Sequence, residues 1–315
     1  GLVFDASKGG PGLYVERALR KGPARRFRSR IADGERVLKI DGHEVGPETD
    51  VSALLYREKL YEVEVVVRGQ DGKERTLRIE PVSAARARGL VYDDWVERQT
   101  QAVERMSGGK LGWLHIRGMN MQSFAQLEED IYAAGAGKDG LLIDVRWNGG
   151  GSTADHVLTV LCQPQHSMTI PRGGSETGYP QDRKVYATWN KPIVLLCNER
   201  SFSNAEILSH AIKALGRGRV VGERTAGGVI STGAARLMDG SSVRMPFRAW
   251  FLVNDGSDME LNGAMPDLRV QIEPADEEAG RDPQLEAAVQ ALLEDVARGQ
   301  QQSKPQPRYR SQRGG

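Results

Sequence analysis

Asn198-Glu199-Arg200-Ser201-Phe202-Ser203-Asn204-Ala205-Glu206-Ile207-Leu208 follows the apolar run 193–197 and opens a segment of helical periodicity. The pattern reads as strand, sharp turn and helix, with Ser203 at the turn. A serine there holds its Oγ at the head of the helix, where unpaired backbone N–H groups and the positive end of the macrodipole favour a developing oxyanion. That position suits a nucleophile. The same residues also read as an ordinary helix cap by Ser203 or Asn204, since Ser and Asn lead the N-cap ranking. The rest of the chain has to decide.

Upstream, residues 140–145 are apolar without alternation, the mark of a buried parallel strand. They run into Asp144-Val145-Arg146-Trp147-Asn148-Gly149-Gly150-Gly151. Three glycines after such a strand let the backbone approach another group closely or adopt φ > 0. Phosphate binding is the obvious rival, but no Gly-Lys-Ser/Thr ending and no GxGxxG is present, which argues against a nucleotide. A loop of this kind can instead supply backbone N–H donors to an oxyanion hole beside the serine turn. Strands at 110–116, 140–145 and 193–197 alternate with helices at 123–134, 154–161 and after Ser203. Alternation predicts a mostly parallel βαβ sheet with ligands outside the carboxyl ends of the strands. Both loops lie at such ends, so the two make one site.

The flanks are less regular. A stretch containing His166, Pro171 and Pro180 precedes the 193–197 strand. Beyond Val220-Val221, alternating runs at 236–238, 243–245 and 249–253 predict an antiparallel extension, and 285–296 a terminal helix. Residues 299–315, rich in Gln, Ser, Arg and Pro, predict a disordered tail. At the other end, residues 1–83 read as a small β-rich domain: strand, turn, Asp41-Gly42, strand, short helix, and a hairpin around Gly69-Gln70-Asp71-Gly72. Residues 84–106 predict a polar connecting helix, and 107–298 the core domain. The fold class expected is α/β (α+β).

Composition closes several options. The chain has 315 residues, 39% hydrophobic and 27% charged, with a formal net charge of +1, which suggests neither a nucleic-acid nor a membrane partner. The basic cluster Arg17, Arg20, Lys21, Arg25, Arg26, Arg28, Arg30 reads as a solvated face. Cys162 and Cys197 sit in apolar runs without metal-ligand spacing, so buried thiols are expected and no metal or cofactor. No 18-residue apolar stretch and no signal peptide are found.

The phrases "KGPA" and "DGERVLKIDGHEV" and the closing hairpin resemble a PDZ domain of the kind found in processing proteases. That resemblance implies capture of extended peptide ends by strand addition, here at Gly12, Leu13, Tyr14 and Val15, or else a spacer that binds nothing. "DVRWNGGG", "SFSNAEILSHAIKALGRGRVVGERTAGGV" and "ELNGAMPD", in that order behind the PDZ module, resemble the carboxy-terminal processing proteases and, more closely, the tricorn protease and its relatives. The likeness covers residues 1 to about 297. It implies a ClpP/crotonase-like α/β serine peptidase core with Ser203 as nucleophile, the N–H groups of Gly150 and Asn204 as oxyanion hole, and Glu260 as the acidic member.

The general base separates the two branches. Processing proteases place a Lys about 25 residues after the Ser, where a depressed pKa lets it take the Ser proton. Gly228 stands at that position. Tricorn-type enzymes use a His from a small domain ahead of the PDZ module, and none of His43, His115, His156, His166 or His210 lies in that context. The expectation is therefore a base on a segment upstream of residue 1. By the same resemblance the substrates are short peptides or unfolded polypeptides, and the full-length protein is a homo-oligomer of the cytoplasm, with a periplasmic or secreted location the alternative. The competing function is a catalytically silent peptide- or ligand-binding protein, since a fold does not fix a function.

Overall fold

The computed structural model describes residues 1–56, 61–164, 167, 169–170, 172 and 187–301. His166, Pro171, Pro180 and most of the expected tail lie outside the described residues. The chain divides into two compact units, 1–99 and 100–315, and the division falls inside one long helix, Ala84–Ser107.

The first unit is an antiparallel sheet of β1 (Leu2–Asp5), β2 (Leu13–Ala18), β3 (Arg36–Ile40), β4 (His43–Glu44), β5 (Val63–Arg68) and β6 (Glu74–Ile79), in spatial order β1-β2-β3-β5-β6 with β4 beside β3. Asp41 and Gly42, at φ 46° and 80°, make the tight turn that the Asp-Gly pair predicts. Leu13, Val15, Val37, Val65 and Val67 point into one core with Ala24 and Ile31. The short helix α1 (Val51–Leu55) and the helix α2 (Ala84–Ser107) follow as expected. The basic cluster is largely ion-paired within the unit: Arg25 with Asp33, Arg26 with Glu80, Arg17 with Asp94, Lys21 with Asp93 and Arg20 with Glu97.

One expectation is corrected here. Gly12, Leu13, Tyr14 and Val15 do not form a receptive edge, because β2 is paired on both sides. Phe4 and Asp5 of β1 pair with Val15 and Tyr14, while Val37 and Arg36 of β3 pair with Leu13 and Tyr14. An incoming peptide strand finds its hydrogen-bonding groups already used. The outermost strand on that side is β1, which lies too close to the start of the chain to show a period.

The second unit is built on a five-stranded parallel sheet. Its members are β7 (Leu111–His115), β8 (Gly140–Asp144), β9 (Ile193–Cys197), β10 (Arg219–Gly222) and the two-residue strand Leu268–Arg269, in order from one edge to the other. Because side chains alternate along a strand, Leu141, Ile143, Ile193, Leu195 and Cys197 share one face. They pack with Phe124, Leu127 and Ile131 of α3 (Met121–Gly135), Val157 and Val160 of α4 (Ala154–Cys162), and Leu208 and Ile212 of α5 (Asn204–Ala214). The opposite face is covered by α7 (Pro283–Gln301), whose Leu292 and Val296 close over Gly140. The short helix α6 (Pro274–Glu278) precedes it.

The antiparallel extension is smaller than expected. It is one hairpin, β11 (Ser231–Arg236) and β12 (Ser242–Arg248), and the run 249–253 contributes only the isolated bridge Phe251–Asp258. The strand Leu268–Arg269, β13, was not anticipated, since two residues carry no detectable period.

Candidate active site

The loops after β8 and β9 are sewn together before any functional side chain is considered. Asn198 Oδ1 accepts the Trp147 N–H at 3.1 Å, and the Ser201 hydroxyl donates to the Val145 carbonyl at 2.8 Å. Asn148, fully buried, holds three elements at once. Its side-chain NH2 donates to the Ile116 carbonyl at 2.7 Å, its carbonyl accepts the Phe202 N–H at 2.9 Å, and its Oδ1 accepts the Gly150 N–H at 2.9 Å. From the other side, Asn204 Oδ1 accepts the Ala154 N–H at 2.7 Å. The glycine loop and the serine turn are therefore in contact. A Cβ on Gly150, which has φ 86°, would lie 2.7 Å from both the Phe202 carbonyl oxygen and Ser203 Cβ, so only glycine fits.

Ser203 occupies the cap position of α5 with φ 57° and ψ −116°. That conformation is costly for a residue with a Cβ and persists only where surrounding bonds impose it. Both sequence readings meet in this residue. Ser203 and Glu206 form a capping box, in which the Glu206 carboxylate accepts the Ser203 N–H at 2.8 Å and the Glu206 N–H turns to the serine, reaching its carbonyl at 2.9 Å. The Asn204 N–H has no hydrogen-bond partner among the described residues and is one of the orphan donors at the start of the helix. Of the two expected oxyanion donors, Asn204 is thus open, while Gly150 lies against Ser203 with its N–H engaged by Asn148.

The third side of the site is the segment 225–230. Four consecutive backbone N–H groups there are divided between two carboxylates. Gly227 and Gly228 donate to Glu206 Oε2 and Oε1 at 2.6 and 2.9 Å. Val229 and Ile230 donate to Glu260 Oε2 at 2.7 and 2.9 Å. Glu206 is completely buried and also accepts the Ser203 N–H at 2.8 Å and the Thr225 hydroxyl at 2.6 Å. Glu260 Oε1 has no partner among the described residues.

Below the glycine loop, the buried Arg146 guanidinium is gripped by Asp144 at 2.8 Å and by Asp282 at 2.9 Å. Burial works against its charge, but the two aspartates win and hold its pKa above the ordinary arginine value.

The described histidines of this unit have other neighbours, and the buried His156 Nδ1 has no hydrogen-bond partner among the described residues. His115 Nε2 meets the Arg146 carbonyl oxygen at 2.9 Å, and the His156 ring packs edge-on against Phe124. His210 sits seven residues along α5 from Ser203, about 10 Å further down the helix axis. The side chains of Asn148, Thr225 and Glu206 were not anticipated as parts of the site. For Glu206 a signal existed: a serine followed three residues later by glutamate is the spacing of a capping box. Among the described residues no cluster of His, Cys, Asp or Glu could hold a metal ion.

Comparison with known proteins identifies the family. Residues 110–270 match peptidase family S41, and 18–84 match the tricorn protease PDZ domain. The chain is 37% identical to tricorn protease homolog 1 of Streptomyces coelicolor over 84% of its own length and 24% of that protein's. It is 30% identical to the tricorn protease of Thermoplasma acidophilum over 82% of its length and 23% of that protein's. A crystal structure of the tricorn protease superposes with a TM-score of 0.78 at 27% identity, covering 94% of this chain and 29% of that one. The chain thus spans about a quarter of the length of these curated relatives. With half of its residues inside the family match and a tricorn-type PDZ domain ahead of them, the chain belongs to peptidase family S41.

Proposed function

We propose that the second unit is the core of a serine peptidase that hydrolyses short peptides or unfolded polypeptides. The observation that carries the reading is the backbone of Ser203. A strained turn at the head of a helix, pressed against a glycine loop, is how a nucleophile is presented, and a helix cap alone does not require that strain.

Ser203 Oγ attacks the scissile carbonyl as its proton passes to a base. The carbonyl oxygen, now negative, is met by the Asn204 N–H and by the Gly150 N–H, which turns from Asn148 Oδ1 or shares itself between the two acceptors. The C–N bond then breaks, the protonated base returns its proton to the leaving amine, and water repeats the sequence to free Ser203. The base is read as a histidine from outside the described residues of this unit, since His115 meets the Arg146 carbonyl, His156 packs on Phe124 and His210 lies two turns down α5. Glu260 keeps one oxygen on Val229 and Ile230 and offers the other to orient that imidazole. The full-length protein works as a homo-oligomer in the cytoplasm, as the resemblance to tricorn-type enzymes implies. No described helix is long and apolar enough to cross a membrane.

The test is Ser203→Ala in the full-length protein. Hydrolysis of short fluorogenic peptides falls to background while the fold, followed by circular dichroism, is retained. Undiminished hydrolysis would remove Ser203 from the reaction.

A further inference from the structure

We infer that Glu206 is a positioning residue for the reaction. With Thr225 it holds the nucleophile turn at a fixed separation from the segment that carries Glu260. The inference rests on Ser203 being the nucleophile, as proposed above.

Glu206 is a fully buried carboxylate with no arginine, lysine or histidine paired to it among the described residues. Such a group is expelled to solvent or neutralised unless hydrogen bonds compensate it. Here the compensation is four donors: Ser203 N–H, Gly228 N–H, Gly227 N–H and the Thr225 hydroxyl, at 2.6 to 2.9 Å. The Thr225 hydroxyl is itself oriented, because its oxygen accepts the Ala264 N–H at 2.7 Å and its proton must go to Glu206. Each carboxylate oxygen receives two donors, and a carboxylate, acceptor at both oxygens, is the side chain that satisfies such a set. Glutamine would put an amide NH2 against the Gly227 N–H or the Gly228 N–H, donor facing donor. Aspartate, one methylene shorter, cannot span the turn and the loop together.

Two consequences follow for the chemistry. The bond to Ser203 N–H helps fix the residue at φ 57°, and so fixes where Oγ points relative to Asn204 N–H and Gly150. The same bond removes Ser203 N–H from the oxyanion donors, leaving that work to Asn204 and the glycine loop. The bonds to Gly227 and Gly228 run directly into those of Val229 and Ile230 to Glu260. Loss of Glu206 therefore loosens the nucleophile relative to its acid partner without touching substrate, and the loss should appear in kcat and in Ser203 reactivity, not in KM.

The experiment uses the full-length protein with Glu206→Gln, Thr225→Val, Thr225→Ser and Ser203→Ala. Peptide hydrolysis, phosphonylation rate by a fluorophosphonate, and thermal unfolding are measured together. Expected for Glu206→Gln is a fall in kcat of about 10²-fold, with KM within about threefold and a parallel fall in phosphonylation. Thr225→Val falls about tenfold, while Thr225→Ser, which keeps the hydroxyl, stays close to the parent. A folded Glu206→Gln protein with kcat within about threefold of the parent would overturn the inference. If Glu206→Gln does not fold, the Thr225 pair decides, and equal kcat in the valine and serine variants overturns it. Ser203→Ala separates the two claims: if that variant still hydrolyses peptide, the assignment of Ser203 as nucleophile, on which the inference rests, has failed.

Discussion

The ring of Phe202 fills the space that any side chain at position 228 would need. A Cβ on Gly228 would lie 2.3 Å from Phe202 Cε2 and 2.8 Å from Cζ, while the Gly228 N–H is committed to Glu206. The room that a lysine side chain would need at this place is thus taken by the aromatic ring of the residue before Ser203. Introducing Gly228→Lys should cost about 1–3 kcal/mol through overpacking and create no Ser-Lys dyad. Urea denaturation and peptide hydrolysis by residues 1–315 check both parts. A variant of parental stability with new activity would mean that the ring yields easily.

Glu260 is predicted to act through its free oxygen. In Glu260→Gln the side-chain carbonyl still accepts the Val229 and Ile230 N–H groups, so the segment stays in place while the negative charge is lost. Without that charge an imidazolium formed during the reaction is less stabilised, and kcat in the full-length protein should drop about 10²- to 10⁴-fold with stability little changed. Activity close to the parent would leave Glu260 as a loop anchor only.

The sequence exposed the parts of the site that are local and concealed those that are not. The apolar runs of β8 and β9 and the glycines at 149–151 mark two strand-end loops by composition alone, and Ser203 follows from the switch to helical period. Glu206 has the spacing of a helix cap, and what makes it more than one is its reach to Thr225, Gly227 and Gly228, about 20 residues away in the chain. Glu260 was placed by resemblance, since nothing in residues 258–263 states that its carboxylate will meet Val229 and Ile230. The PDZ reading went astray at Gly12 to Val15 because β1, only four residues long, supplies the neighbour that closes that edge. The strand at Leu268–Arg269 owes its existence to β10 beside it, not to its own two residues.

Stability should depend on pH through His115. Burial pushes its imidazole below the ordinary histidine pKa, outweighing the pull of Asp144 in the other direction. The unfolded chain therefore binds a proton near pH 6.5 that the folded chain refuses until lower pH. In that interval the unfolded state holds more protons, so stability is full above about pH 6.5 and declines as pH falls below it. Urea midpoints at pH 7.5 and 5.5 should move further apart in the parent than in His115→Gln. An equal shift in the two proteins would show that His115 adds nothing to the pH dependence.

The most direct measurement is the site and rate of fluorophosphonate labelling, mapped by mass spectrometry in the full-length protein and in residues 1–315 alone. The account predicts a single labelled residue, Ser203, in the full-length protein. On the proposal that the histidine base lies outside residues 1–315, labelling in the isolated chain should be about 10⁴- to 10⁶-fold slower. Brisk labelling of Ser203 in residues 1–315 would place a base within that chain, and labelling at any other serine of the full-length protein would contradict the assignment of the nucleophile.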